Sequence, residues 1–187
     1  MKPVERSEIV DYQTYAELRD DIRRTVMAEK QSRRIHVGPH LTFLFETHAT
    51  IRYQVQEMMR AEQIVKEAEI EHEIRTYNEL LGGPGELGCT LLIELDDPAM
   101  RAVKLERWLD LPKHVYAKLE DQTLVRPTHD RRQVGEARLS SVQYLKLAVG
   151  AAAPVALGCD HADPEVRHEV VLTEAQRSAL QHDLDGV

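Results

Sequence analysis

His36, His40, Glu46 and His48 fall within thirteen residues of one another, in the run RRIHVGPHLTFLFETHATIRYQVQEMMRAE (Arg33–Glu62). Two imidazoles and one carboxylate form the ligand set that suits non-haem iron with open positions, or a catalytic zinc. His36 and His40 have the spacing H-x-x-x-H, which places both rings on one face only if the segment is helical. Gly38-Pro39 lies between them, so a turn would have to bring the rings together, with Glu46 or Glu57 as the carboxylate. Neither H-E-x-x-H nor the H-x-H of cupin metal sites is present. The competing reading is that both histidines are turn residues bonded to backbone.

The helix that follows carries the second group of candidates. Thr50 reads as its N-cap and Val65 as its approximate end. On a wheel of 100° per residue, Ile51, Val55, Met58 and Val65 define the apolar arc, with Arg52, Gln56, Arg60 and Gln63 opposite. Gln54 and Glu62 fall inside that arc and Glu57 at its edge. This facing predicts that Met58 and Val65 are buried, and that Gln54, Met58 and Glu62 form one inward row. A buried carboxylate needs a partner, which makes Glu57 and Glu62 candidate acid/base residues and Gln54 and Arg60 candidate ligand-holding ones. The alternative for Glu62 is a surface pair with Lys66, and for Gln54 a buried amide holding loop backbone. A third cluster is Cys159-Asp160-His161, at the end of a predicted strand. There His161 could ligate and Asp160 orient it, or the tripeptide could be a simple turn. Economy of burial predicts that His40, Glu57 and His161 share one cavity.

These residues are positioned by a patterned chain. Tyr15, Leu18, Ile22 and Val26 recur at helical spacing from about Asp11 to Lys30. Arg34–Val37 and Leu41–Glu46 read as strands, and Ile70, Ile74, Tyr77 and Leu81 as a helix ending at Gly82-Gly83-Pro84-Gly85. Leu87–Leu95 reads as a strand buried on both faces. Asp97-Pro98 opens a helix through Trp108, and Val115–Leu119 with Thr123–Arg126 forms a hairpin. Val142–Val149 and Val155–Cys159 are further strands, and Thr173 with Gln176 is a capping box for a last helix. The expectation is one α+β domain over residues 1–187 around a mixed or antiparallel sheet, with a possible hinge at 82–85.

The 187 residues carry 24 Lys+Arg against 32 Asp+Glu, a net charge of -8, which disfavours a general nucleic-acid or anionic-membrane binder. The pairs Arg23-Arg24, Arg33-Arg34 and Arg131-Arg132 could still receive one anion. Cys89 and Cys159 are the only cysteines. Outside any C-x-x-C, they are expected to be reduced core thiols, as in a cytoplasmic protein. The first residues lack the apolar run of a signal peptide, and no stretch approaches a membrane span.

The segments HVGPHLTFLFE (His36–Glu46), YQVQEMMRAEQI (Tyr53–Ile64), TYNELL (Thr76–Leu81) and GCDH (Gly158–His161) together resemble a bacterial family of about this length that has no assigned activity. The resemblance covers most of the chain. It extends to Gly38, Pro39, His40, Glu46, Gln54, Glu57, Arg60, Glu62, Tyr77, Asn78, Asp160 and His161. Relatives tend to place proline directly after the Asp-His pair, whereas this chain has Ala162-Asp163-Pro164. Such genes often lie beside rubrerythrin-like and iron–sulphur oxidoreductase genes, which implies a redox or oxidative-stress setting. Three functions follow as expectations. The first is a polar pocket holding one iron or zinc, with His36, His40, His161 and Glu46 as metal ligands, Glu57 and Glu62 as acid/base residues, and Gln54, Arg60 and Asp160 holding the cofactor. The second is a non-catalytic accessory protein docking onto an iron–sulphur or diiron partner. The third is a small-anion module using Arg34, Arg52 or Arg60. A homo-oligomer is compatible with each.

Overall fold

A computed structural model describes residues 1–129, 135 and 137–186. The basic pair Arg131-Arg132 lies outside the described residues. The fold is α+β, with five α-helices and two antiparallel sheets among the described residues.

The N-terminal half is a helical layer joined to a β-hairpin. Helix α1 (Tyr12–Gln31) starts where the Asp11 carboxylate accepts the N–H groups of Gln13 and Thr14, neutralising orphan donors of the first turn. Strands β1 (Arg34–Val37) and β2 (Leu41–Phe45) follow as an antiparallel pair. Gly38, in the turn between them, has φ +66, and a Cβ there would lie 2.2 Å from the His168 ring, so both conformation and space require glycine. Helix α2 (His48–Glu62) is capped by Thr47 and stopped by Gln63 in the left-handed conformation (φ 52, ψ 42). Helix α3 (Glu67–Asn78) completes the layer. A small core of Val4, Ile9, Ile51, Val55, Met59, Ile64, Ile70, Ile74 and Leu81 holds it together.

The second half supplies most of the strands: β3 (Leu87–Ile93), β4 (Val115–Lys118), β5 (Leu124–Val125), β6 (Thr128–His129), β7 (Val142–Leu147), β8 (Ala156–Cys159) and β9 (Glu169–Val171). Helix α4 (Pro98–Arg107) begins at an Asp97 cap, and α5 (Glu174–Asp185) at the Thr173–Gln176 capping box. One sheet has the order β1-β2-β3-β7-β6 and the other β5-β4-β8-β9. Only Arg126-Pro127 separate β5 from β6, so the chain passes there directly from one sheet to the other. On the opposite side β1 lies against β8 and β9. The two sheets thus enclose a core that includes Phe43, Phe45, Leu91, Leu145, Leu157 and both cysteines. Trp108, Leu105, Leu111 and Leu139, also buried there, come from α4 and the segments after it.

Two facings differ from the sequence expectation. The buried stripe of α2 is Ile51, Val55 and Met59, together with Gln56. Met58 and Gln54 are half-buried, Glu62 is exposed and Val65 is 69% exposed. The physical reason is the stop at Gln63: Val65 lies beyond the helix, so including it on the wheel rotated the arc away from Met59. Gln56 is buried because its amide bonds the backbone of Val10 in both directions, at 3.0 Å each. On α1 only Tyr15 and Val26 are buried, while Leu18 remains 49% exposed.

Candidate functional site

The densest polar cluster forms where α4, the turn before β4 and the loop after β8 meet. Trp108, wholly buried, donates its indole N–H to Asp163 Oδ2 at 2.8 Å. Asp163 also accepts the Glu165 N–H at 3.1 Å and pairs with Arg107 at 2.9 Å. The Trp108 bond outweighs desolvation and holds the Asp163 carboxyl below its ordinary range. His161 Nδ1 accepts the Asp163 backbone N–H at 3.0 Å, and that bond fixes the ring proton on Nε2, which faces Asp110 Oδ1 at 3.1 Å. Asp110 Oδ2 meets His114 Nε2 at 3.1 Å, and the other nitrogen of His114 meets Asp160 at 3.3 Å. Both His114 bonds can be donated together only by the doubly protonated ring. Burial opposes ionisation of Asp110, but the bonds from His114 and His161 prevail and its carboxyl lies below the usual range. Asp160 is ion-paired with Arg126, which lowers its carboxyl as well. A cavity of about 370 Å³ lined by Leu109, Asp110, Pro112, Lys113 and His129 adjoins this cluster.

His40 reaches the same neighbourhood from the Gly38-Pro39 turn. Its ring centroid is 5.7 Å from that of Trp108, and its Nε2 is 3.6 Å from Glu165. Glu165 is bound by Lys104, which itself lies over the Trp108 ring. His40 and His161 are therefore linked through Trp108 and Asp163. Glu57 is not part of this assembly. It accepts Tyr15 Oη at 2.6 Å and a two-pronged Arg19 contact at 2.7 and 2.9 Å, with Arg60 at 3.7 Å. Those partners lie on α1 and α2, so the expectation of one cavity shared by His40, Glu57 and His161 is corrected. Nor do Gln54, Met58 and Glu62 form the expected inward row, since Gln54 and Met58 are half-buried and Glu62 is exposed.

The remaining candidates are dispersed. Glu46 is buried and accepts the hydroxyls of Thr50 and Thr90, each at 2.6 Å. His36 is exposed and bonds Thr42 at 2.7 Å, whose hydroxyl passes to Glu94 at 2.7 Å. Gln54 is half-buried and Glu62 exposed. Arg34 pairs with Glu94, Arg52 bonds the Glu8 carbonyl and Arg60 approaches Glu57. These arginines engage three different partners and do not converge on an anion. The His36, His40, Glu46 and His161 set does not fit one iron or zinc ion. Among the described residues, no group of three or more His, Cys, Asp or Glu side chains is arranged to hold a metal. Cys89 and Cys159 are free and buried; burial pushes the Cys89 thiol well above its ordinary value and that of Cys159 to about 11.

Sequence reasoning missed Asp110, His114 and Asp163 as partners of His161, and Trp108 as the partner of Asp163. The spacing D-x-x-x-H of Asp110 and His114, with His114 directly before β4, which pairs with β8, was the available signal. Nothing in the sequence marks Asp163 as the acceptor for Trp108.

A family profile described as "Protein of unknown function (DUF3501)" matches residues 3–184. The structure is similar to the crystal structure of a novel protein of unknown function from Burkholderia pseudomallei K96243. That similarity has a TM-score of 0.89 and 28% sequence identity, and covers 98% of this chain and 100% of the other. No curated protein matches the chain. Among the described residues, no helix is long and apolar enough to cross a membrane.

Proposed function

The chain belongs to the DUF3501 family, whose function is unknown, and we propose that it acts as a non-catalytic accessory protein that docks onto a redox protein through helix α4. The observation that carries this reading is the contrast between α4 and its base. Met100, Val103 and Arg107 form one stripe at helical spacing. Met100 is 49% and Val103 65% exposed, while the opposite face buries Leu105. Beneath them, the acid/base side chains that would serve a reaction are committed to one another. Both ring nitrogens of His161 and of His114 are bonded, and Asp110, Asp160 and Asp163 each hold at least two partners. A network satisfied in this way rigidifies the surface it supports.

An apolar pair beside the Arg107 guanidinium suits a partner that offers carboxylates around an apolar contact. The redox setting implied by the family resemblance selects the partners to test: a rubrerythrin-like protein and an iron–sulphur oxidoreductase. Titration calorimetry of each purified partner against the whole chain is expected to give saturable binding to at least one. Val103→Glu should weaken that binding and Arg107→Glu should weaken it in a salt-dependent way. Absence of binding to both partners, or binding indifferent to both variants, would exclude the reading.

A further inference from the structure

We propose that the cleft between the end of α3 and strands β6 and β7 binds a small monocarboxylate with a compact apolar body. Leu145 and Leu147 of β7 point into the core between the sheets, so Tyr144 and Lys146 stand on the opposite face. Strands β6 and β7 pair antiparallel with Thr128 directly opposite Lys146, which places the two side chains next to each other on that face. On the other side of Lys146 its β3 neighbour is Gly88. A Cβ there would lie 1.9 Å from the Leu80 carbonyl oxygen, so glycine lets the chain leaving α3 close onto the sheet. This closure forms a cavity of about 230 Å³ whose walls include Thr76, Glu79, Leu80, Thr128, Tyr144 and Lys146.

The chemistry of the occupant follows from which wall groups are still open. Glu79 and Tyr144 already have partners. Lys146 is half-buried, and among the described residues nothing bonds its ammonium or the hydroxyls of Thr76 and Thr128. Lys2, Lys66, Lys104 and Lys118, by contrast, each hold a carboxylate of their own chain. One ammonium and two hydroxyls on the wall of one cavity form a donor set for a single oxyanion, since all three can donate and the ammonium makes the bond charge-assisted. The Glu79 carboxylate on the same wall opposes a second negative charge, which favours a carboxylate over a phosphate dianion. Leu80 and the Tyr144 ring supply apolar surface for the rest of the ligand. The cavity has the volume of about eight water molecules, so the ligand has on the order of eight to ten non-hydrogen atoms.

Benzoate has the right size and charge to serve as the probe, and benzamide is its uncharged isostere. Each is titrated into the whole isotope-labelled chain and followed through the backbone amide resonances. Benzoate is expected to give saturable shifts centred on Leu80, Thr128 and Lys146, with a Kd on the order of millimolar. Benzamide should bind about tenfold more weakly, and inorganic phosphate more weakly than benzoate. Lys146→Met keeps the apolar stem and should weaken benzoate about tenfold while leaving benzamide unchanged; Thr128→Val should weaken benzoate about threefold. Both side chains reach the surface, and unchanged thermal melts would show that the variants fold. The comparison of the three probes on wild type needs no variant at all. The proposal is overturned by any of four results: no saturable shift with benzoate, benzamide binding as tightly, phosphate binding as tightly, or Lys146→Met without effect. The cleft shares no residue with α4, so its test succeeds or fails independently of partner docking.

Discussion

Asp163 joins three segments through one side chain: the Trp108 indole, the Glu165 backbone N–H and the Arg107 guanidinium all end on it. Trp108 is wholly buried, so Asp163→Ala would leave its N–H without a partner in the core. The expected cost is about 1–3 kcal/mol, read as a lower urea midpoint at unchanged slope. The pair between Arg33 and Asp183, 2.6 Å apart and nearly inaccessible, ties α5 to the residue before β1. Removing one partner strands a buried charge, so Asp183→Ala is expected to cost about 3–5 kcal/mol. Glu57 predicts a pH dependence. The Arg19 bond, assisted by Tyr15, holds its carboxyl below the ordinary value of 4.5. A carboxylate with a depressed folded value stabilises the protein above its unfolded value and loses that contribution as pH falls through the folded one. Wild type should therefore lose stability more steeply than Glu57→Gln as pH drops below about 4.5, in paired thermal melts.

At the level of elements, two helix starts were legible because caps are local, whereas α2 is capped by Thr47 and not, as expected, by Thr50. Asp97 and Thr173 each announce a helix through hydrogen bonds made within three residues. The strands of the second half were legible for a similar reason, since Leu87–Ile93 is buried on nearly every side chain. The end of α2 was not, because a left-handed Gln63 has no distinctive residue type, and the α2 facing depended on that end. The candidate site was legible only in its parts. Cys159-Asp160-His161 and the Gly38-Pro39 turn pointed to a shared region, but their link runs through Trp108 and Asp163, which no spacing relates. Glu46, expected as a metal ligand, is instead a buried acid whose needs are met by two threonines. The corrected facing of α2 yields a direct comparison: Met59→Ala should cost about 2–5 kcal/mol and Met58→Ala less. A urea midpoint moved more by Met58→Ala than by Met59→Ala would restore the original arc.

On the scale of the molecule, the apolar cluster between the sheets is the larger of two cores. Two helices carry exposed apolar side chains, Leu18 on α1 and Met100 with Val103 on α4. The net charge of -8 disfavours nucleic acid as the partner of the α4 stripe. The most direct measurement is titration calorimetry of the purified rubrerythrin-like and iron–sulphur partners against wild type, Val103→Glu and Arg107→Glu. Saturable binding of one partner by wild type, weakened by both substitutions, is the predicted result. Neither partner binding wild type, or binding unchanged in both variants, would contradict it.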